Sequence, residues 1–195
     1  MKRSQRFILS VVTGVMLSLP WLGFPGWFLL FAMIPLLLLE HFFTENKNRF
    51  GSVAFWGHAF LTFFIWNSIT TWWIFFATPV GMALAIITNS LLMSLVWWLA
   101  HIARRYFKAS LGYVTLAAFW ISFEYFHFHW DIEWPWLNLV NGFANNIKLV
   151  QWYEYTGILG GTVWVLAVNL ILFSVYNQIR KMTDRRRFLD RKSVV

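Results

Sequence analysis

Glu124 is a carboxylate standing among Phe123, Tyr125 and Phe126, near the end of an apolar run from Leu111 to Phe128. A charge inside such a run is costly, so it marks either a functional site or a group paired within a helix bundle. The residues alone leave both readings open. His127, His129, Asp131 and Glu133 follow at alternating positions. Imidazoles and carboxylates are metal ligands, but residues two apart on a helix point to different faces. The pattern is therefore expected to close a span with polar interfacial residues, and neither a metal site nor a cofactor is expected. Beyond it lie Trp134-Pro135-Trp136-Leu137-Asn138 and Asn141-Gly142-Phe143-Ala144-Asn145-Asn146. An aromatic-proline turn feeding an asparagine-rich bend suits hydrogen bonding to a polar headgroup. On the residues alone it suits better an interfacial aromatic belt closed by turn residues. Gly157 and Gly161, four residues apart, allow close helix contact and are expected to pack inside a bundle. No nucleophile announces itself. There is no cysteine, and Ser122 and Ser174 lie in apolar runs without a positioned base. No Gly-rich phosphate loop and no HExxH motif occurs.

The elements that must hold these residues are set by the excess of apolar side chains. The 195 residues are 59% hydrophobic and 12% charged, with 14 Trp and 21 Phe. A single soluble core does not hide that much apolar surface. Six stretches approach the length of a membrane span: Phe7–Phe24, Gly26–Phe43, Val53–Phe76, Gly81–Ala103, Leu111–Phe128 and Ile158–Tyr176. The fold class is thus an all-α integral membrane protein, a bundle of about six transmembrane helices. The basic start, Met1 to Arg6, resembles a signal peptide, but it lacks a small-x-small cleavage site and reads as an uncleaved first span. Asn67, Ser68, Thr70 and Thr71 place a polar stripe on the third span, expected to face protein.

The net charge of +8 does not indicate nucleic acid, because the basic residues sit in short clusters between apolar runs. With six spans, 15 of the 16 Lys and Arg fall on one side, and Lys148 alone falls on the other. The positive-inside bias then puts both termini in the cytoplasm. Residues 1–179 are expected to form the transmembrane domain and 180–195 a basic cytoplasmic tail. The segment Asp131–Gly157 is too long for a tight turn and too aromatic for a free loop. It is expected to be a re-entrant or interfacial element between the last two spans, since irregular backbone at membrane depth survives only against protein or a wet cavity.

Several of these stretches together resemble the apolipoprotein N-acyltransferase family. They are Pro20-Trp21-x-Gly23-Phe24-Pro25, then Pro35-Leu36-Leu37, Trp72-Trp73-Ile74, Thr78-Pro79-Val80-Gly81, and Phe123-Glu124. The Trp134-Pro135-Trp136-Leu137 core, Gly142-Phe143, Tyr155-Thr156-Gly157-Ile158-Leu159-Gly160-Gly161 and Asn169 complete the set. The likeness covers nearly the whole chain and is greatest to the Trp-rich forms of the Bacteroidetes group. It implies a helical domain in the bacterial inner membrane, with a nitrilase-like periplasmic domain inserted before the last span. In that domain a Glu-Lys-Cys triad takes an acyl chain from phospholipid as a thioester. It then passes the chain to the amino group of a lipoprotein's N-terminal cysteine.

This sequence lacks the cysteine and the nitrilase-like region, and Val140 stands where many relatives have glycine. No catalytic residue carries over. Glu124, Trp134, Pro135 and Trp136 carry over as candidate substrate-binding residues on the membrane side of the site. The expectation is a truncated or split family member, not catalytic alone. Phospholipid is its expected partner, and a lipoprotein becomes a substrate when a catalytic domain complements it. The alternative is a non-enzymatic membrane scaffold subunit or small transporter.

Overall fold

Lipid offers no hydrogen bonds, so an apolar chain must satisfy its backbone within helices. The computed structural model of the protein describes residues 1–107, 109–131 and 134–192, with side chains left aside at 109, 110 and 184–192. Helix dominates it, with no strand among the described residues. The helices are α1 (Arg3–Ser18), α2 (Leu29–Ala32), α3 (Ile34–Glu45), α4 (Ser52–Thr71), α5 (Pro79–Tyr106), α6 (Ala109–His127) and α7 (Tyr153–Lys192). Tight 3-10 turns extend or join them at Leu19–Leu22, Gly26–Phe28, Trp72–Phe76, Pro135–Leu137 and Leu139–Leu149.

Among the described residues, five segments are long and apolar enough to cross a membrane: Arg3–Leu22, Gly26–Glu45, Ser52–Phe76, Pro79–Tyr106 and Tyr153–Thr183. The remaining helix, α6, has 19 residues and carries Glu124 and His127, which lower its apolar content. It nevertheless packs as a full member of the bundle, between α5 and α7.

The distribution of polarity confirms a protein built for lipid. On α5 the outward stripe is Leu84, Ile87, Leu91, Leu95 and Leu99, all exposed. Its inward stripe includes Asn89, Ser90, Ser94, His101 and Arg104, all buried. On α4, Asn67, Thr70 and Thr71 are likewise buried, so the polar stripe faces protein as its composition demands. Such polar groups inside and leucines outside reverse the order of a soluble helix.

The bundle is arranged around α3, which touches α1, α4, α5 and α7. Trp66, Trp97, Trp120, Phe43, Phe55 and Phe173 fill the space between the helices. The second span is broken where α2 meets α3, just before Pro35. In an unbroken helix the Met33 N–H would bond the Leu29 carbonyl. Here the Asn169 side chain of α7 stands between them. Its Oδ1 accepts from Met33 N at 2.9 Å and its Nδ2 donates to Leu29 O at 2.7 Å. One amide thus satisfies both groups that the break sets free.

Candidate functional site

The site begins with Glu124, which α6 carries into the bundle interior one turn after Trp120. It is 3% exposed. Its Oε1 accepts from Trp120 Nε1 at 2.9 Å and from the backbone N–H of Leu139 at 3.0 Å. Its Oε2 accepts from the hydroxyl of Thr162 on α7. The carboxylate therefore fastens three separate pieces of chain: α6, the aromatic segment and α7. Among the described residues no cation pairs with it. Three donors stabilise it in place of an ion pair.

The aromatic segment enters the bundle rather than lying over it. Leu137, Asn138, Leu139, Val140, Gly142 and Phe143 are all buried. Asn138 caps the turn by accepting from Val140 N at 3.2 Å, and Asn141 Nδ2 donates to the Pro135 carbonyl at 2.7 Å. Proline at 135 needs no donor satisfied, which suits so tight a bend. Gly142 lies against Leu29, Pro20 and Trp21, and its carbonyl meets Gly26 at a distance that leaves no room for a Cβ. The Gly26 N–H donates to Asn146 Oδ1 at 2.7 Å. The first loop and the aromatic segment are thereby sewn together across 120 residues of sequence.

That junction assembles an aromatic surface. Trp21 Nε1 donates to the Trp136 carbonyl at 3.2 Å. The Trp136 ring meets Trp73 edge to face, with centroids 5.9 Å apart. Three of the stretches that carried the resemblance, around Trp21, Trp73 and Trp136, therefore meet at one place. Trp136 and Trp73 are exposed, Trp134 is partly covered, and Pro135 is exposed. Glu124 lies beneath them and does not itself reach the surface.

The histidines separate. His127 turns inward, with Nε2 3.1 Å from Asn89 Oδ1. His129 turns outward and stacks on Tyr125 at 4.3 Å. Asp131 is exposed, and Glu133 lies outside the described residues. The two glycines of α7 also differ. A Cβ on Gly161 would strike Val140 and the Tyr153 ring, so this glycine admits the aromatic segment against the helix. Gly157 has open space around it and instead breaks α7, with φ 68 and ψ −179. That conformation is close to exclusive to glycine. The spacing of four presumes an unbroken helix, and the break removes that premise.

A second polar cluster escaped the reading of the sequence. Glu40 of α3 is 3% exposed. It accepts from Thr44 at 2.7 Å and from Arg104 at 2.5 Å, and it lies 2.8 Å from His101 Nδ1. The Arg104 guanidinium sits 4.0 Å over the Tyr113 ring. Glu40 is a carboxylate inside an apolar run, and the argument that singled out Glu124 applies to it equally.

The sequence family described as the apolipoprotein N-acyltransferase N-terminal domain matches residues 13–171. An apolipoprotein N-acyltransferase of Chlorobaculum tepidum is 28% identical over 183 residues, covering 89% of this chain and 32% of its own length. The chain thus spans about a third of the curated relative it matches. No solved structure matches.

Proposed function

The chain belongs to the apolipoprotein N-acyltransferase family through its N-terminal domain, and from that premise we propose that it is the membrane platform for lipoprotein N-acylation. In this reading Trp134, Pro135 and Trp136, joined by Trp21 and Trp73, form the floor over which acyl chains pass between phospholipid and the amino group of a lipoprotein's N-terminal cysteine. Glu124 positions that floor from below. The observation that carries the proposal is the convergence of three distant aromatic stretches on one exposed surface. The exposed rings offer an apolar face to acyl chains; the Trp73 N–H is taken by the Thr70 carbonyl, so a polar ester or headgroup atom would be met by the Trp136 N–H. With no cysteine in its 195 residues, the chain contributes positioning, and the thioester-forming nucleophile comes from a nitrilase-like domain acting with it.

The test is an acyl-transfer assay, from phospholipid to a diacylated lipoprotein peptide, on a chimaera joining this chain to the C-terminal region of the Chlorobaculum tepidum relative. Trp136→Ala is expected to lower transfer about tenfold or more, since misplaced substrates lose rate steeply, while insertion and Tm stay near the parent. Parental activity per folded molecule would show that the tryptophans only anchor helices.

Orientation is part of the same reading. The family membership supports an inner-membrane location, and the charge bias supports both termini in the cytoplasm with the aromatic floor periplasmic. Because the native chain has no cysteine, single substitutions report cleanly. In intact spheroplasts a membrane-impermeant thiol reagent is expected to label Asn141→Cys and spare Ser4→Cys. The opposite pattern would invert the topology.

A further inference from the structure

Trp134 Nε1, Asn138 Nδ2 and His127 Nδ1 are buried polar atoms without a protein partner. All three residues line one cavity of about 10 Å³, together with Glu124, Phe123 and Met93. That is the size that holds one water molecule, and buried waters occur where several otherwise unsatisfied polar groups converge.

The surrounding network fixes what each atom offers. Asn138 Oδ1 accepts from Val140 N, so its Nδ2 is a donor turned elsewhere. The Trp134 indole only donates. For His127 the roles follow along a chain of amides. Asn67 Nδ2 donates to the Phe63 carbonyl at 2.8 Å, which leaves Asn67 Oδ1 to accept from Asn89 Nδ2 at 2.7 Å. Asn89 then presents its oxygen to His127 Nε2. The ring must carry its proton on Nε2, and Nδ1 of the neutral imidazole is a free lone pair. Glu124 accepts three hydrogen bonds, out of about four lone-pair sites on a carboxylate. The residues that line the cavity thus supply two donors and two acceptors not used elsewhere, the complement of water's two lone pairs and two protons.

We propose that this cavity binds one water molecule, which accepts from Trp134 Nε1 and Asn138 Nδ2 and donates to His127 Nδ1 and Glu124. The water ties the start of the aromatic segment to α6. Through Asn89 and Asn67 it extends the link to α5 and α4. His127 is thereby a positioning residue for Trp134 and Asn138. An apolar occupant would leave all three orphan atoms unsatisfied. A cation would face two N–H donors, and an anion would face Glu124.

A high-resolution density map of the full chain tests it directly. A peak within about 2.7–3.1 Å of all three nitrogens is expected, and a dry cavity would overturn the proposal. Hydrogen exchange gives a second readout. His127→Gln keeps a donor reaching Asn89 but loses the ring Nδ1. Exchange at the backbone of residues 137–143 is expected to rise about tenfold, with α4 and α5 unchanged. Unchanged exchange in the segment would overturn the bridge. So would an equal rise along α4, α5 and the segment, which would mean that His127 acts through the bundle alone. Should the variant fail to insert, the map of the parent decides.

Discussion

Glu124→Leu is expected to destabilise the protein by about 3–5 kcal/mol, because it leaves three buried donors without an acceptor. These are Trp120 Nε1, the Leu139 N–H and the Thr162 hydroxyl. All three residues are fully buried, out of contact with bulk solvent. The loss should be local in origin: the Leu139 N–H is the point at which the aromatic segment is fastened, so the segment detaches first. Glu124→Gln keeps the shape and one acceptor oxygen, and Thr162 can rotate to accept from the new amide. Its cost should be smaller, about 1–2 kcal/mol. Thermal unfolding of the purified chain, followed by tryptophan fluorescence, measures both. A leucine variant with the parental Tm would show that the carboxylate does not hold the segment.

The second large effect is expected at the opposite cluster. Removing Glu40 leaves the Arg104 guanidinium, only 6% exposed, as a buried charge with no counter-ion. Breaking a buried pair in this way costs about 3–5 kcal/mol. Glu40→Leu should therefore be severely destabilised. Combining it with Arg104→Met should recover most of the loss, because the uncompensated charge leaves with its partner. The comparison of single and double variants in a detergent unfolding series is decisive. If the double variant is as unstable as the sum of the two singles, the pair is not coupled and the 2.5 Å contact is energetically incidental.

The bundle was legible because lipid imposes a length on every apolar run, and run length is visible in one sequence. The aromatic segment was legible for a related reason: its tryptophans and asparagines suit neither a span nor a free loop. Glu124 stood out as a lone carboxylate among phenylalanines. Glu40 did not, because it lies at the end of Leu36-Leu37-Leu38-Leu39 and beside His41, where a span shades into its flank. Arg104 misled in a more instructive way. It reads as one of the cytoplasmic flanking charges, yet it turns inward to meet Glu40, 64 residues earlier in the chain. Charge type was readable, but the direction a side chain takes was not. The same holds for Thr162 on Glu124 and for Asn67, Asn89 and His127. Each is an ordinary polar residue until a partner 22 to 38 residues away is brought beside it. Gly157 shows the limit from the other side. A four-residue glycine spacing signals a smooth helix face only while the helix continues, and the positive φ at Gly157 is set by tertiary structure.

Asn169 also sets an order of events during synthesis. The groups it satisfies at Met33 and Leu29 emerge 136 and 140 residues before it does. At about 5–20 residues per second, the second span exists for roughly 7–28 s before the amide that fits its break is made. Throughout that interval the span has reason to remain partly wet or straightened, and the contacts that depend on its bend have nothing fixed to form upon. Arrival of α7 supplies the missing amide and, by the same helix, the Thr162 hydroxyl that Glu124 accepts from. The bend of the second span and the seat of Glu124 therefore both depend on α7, a helix made after them, which draws the earlier part of the chain closed like a drawstring.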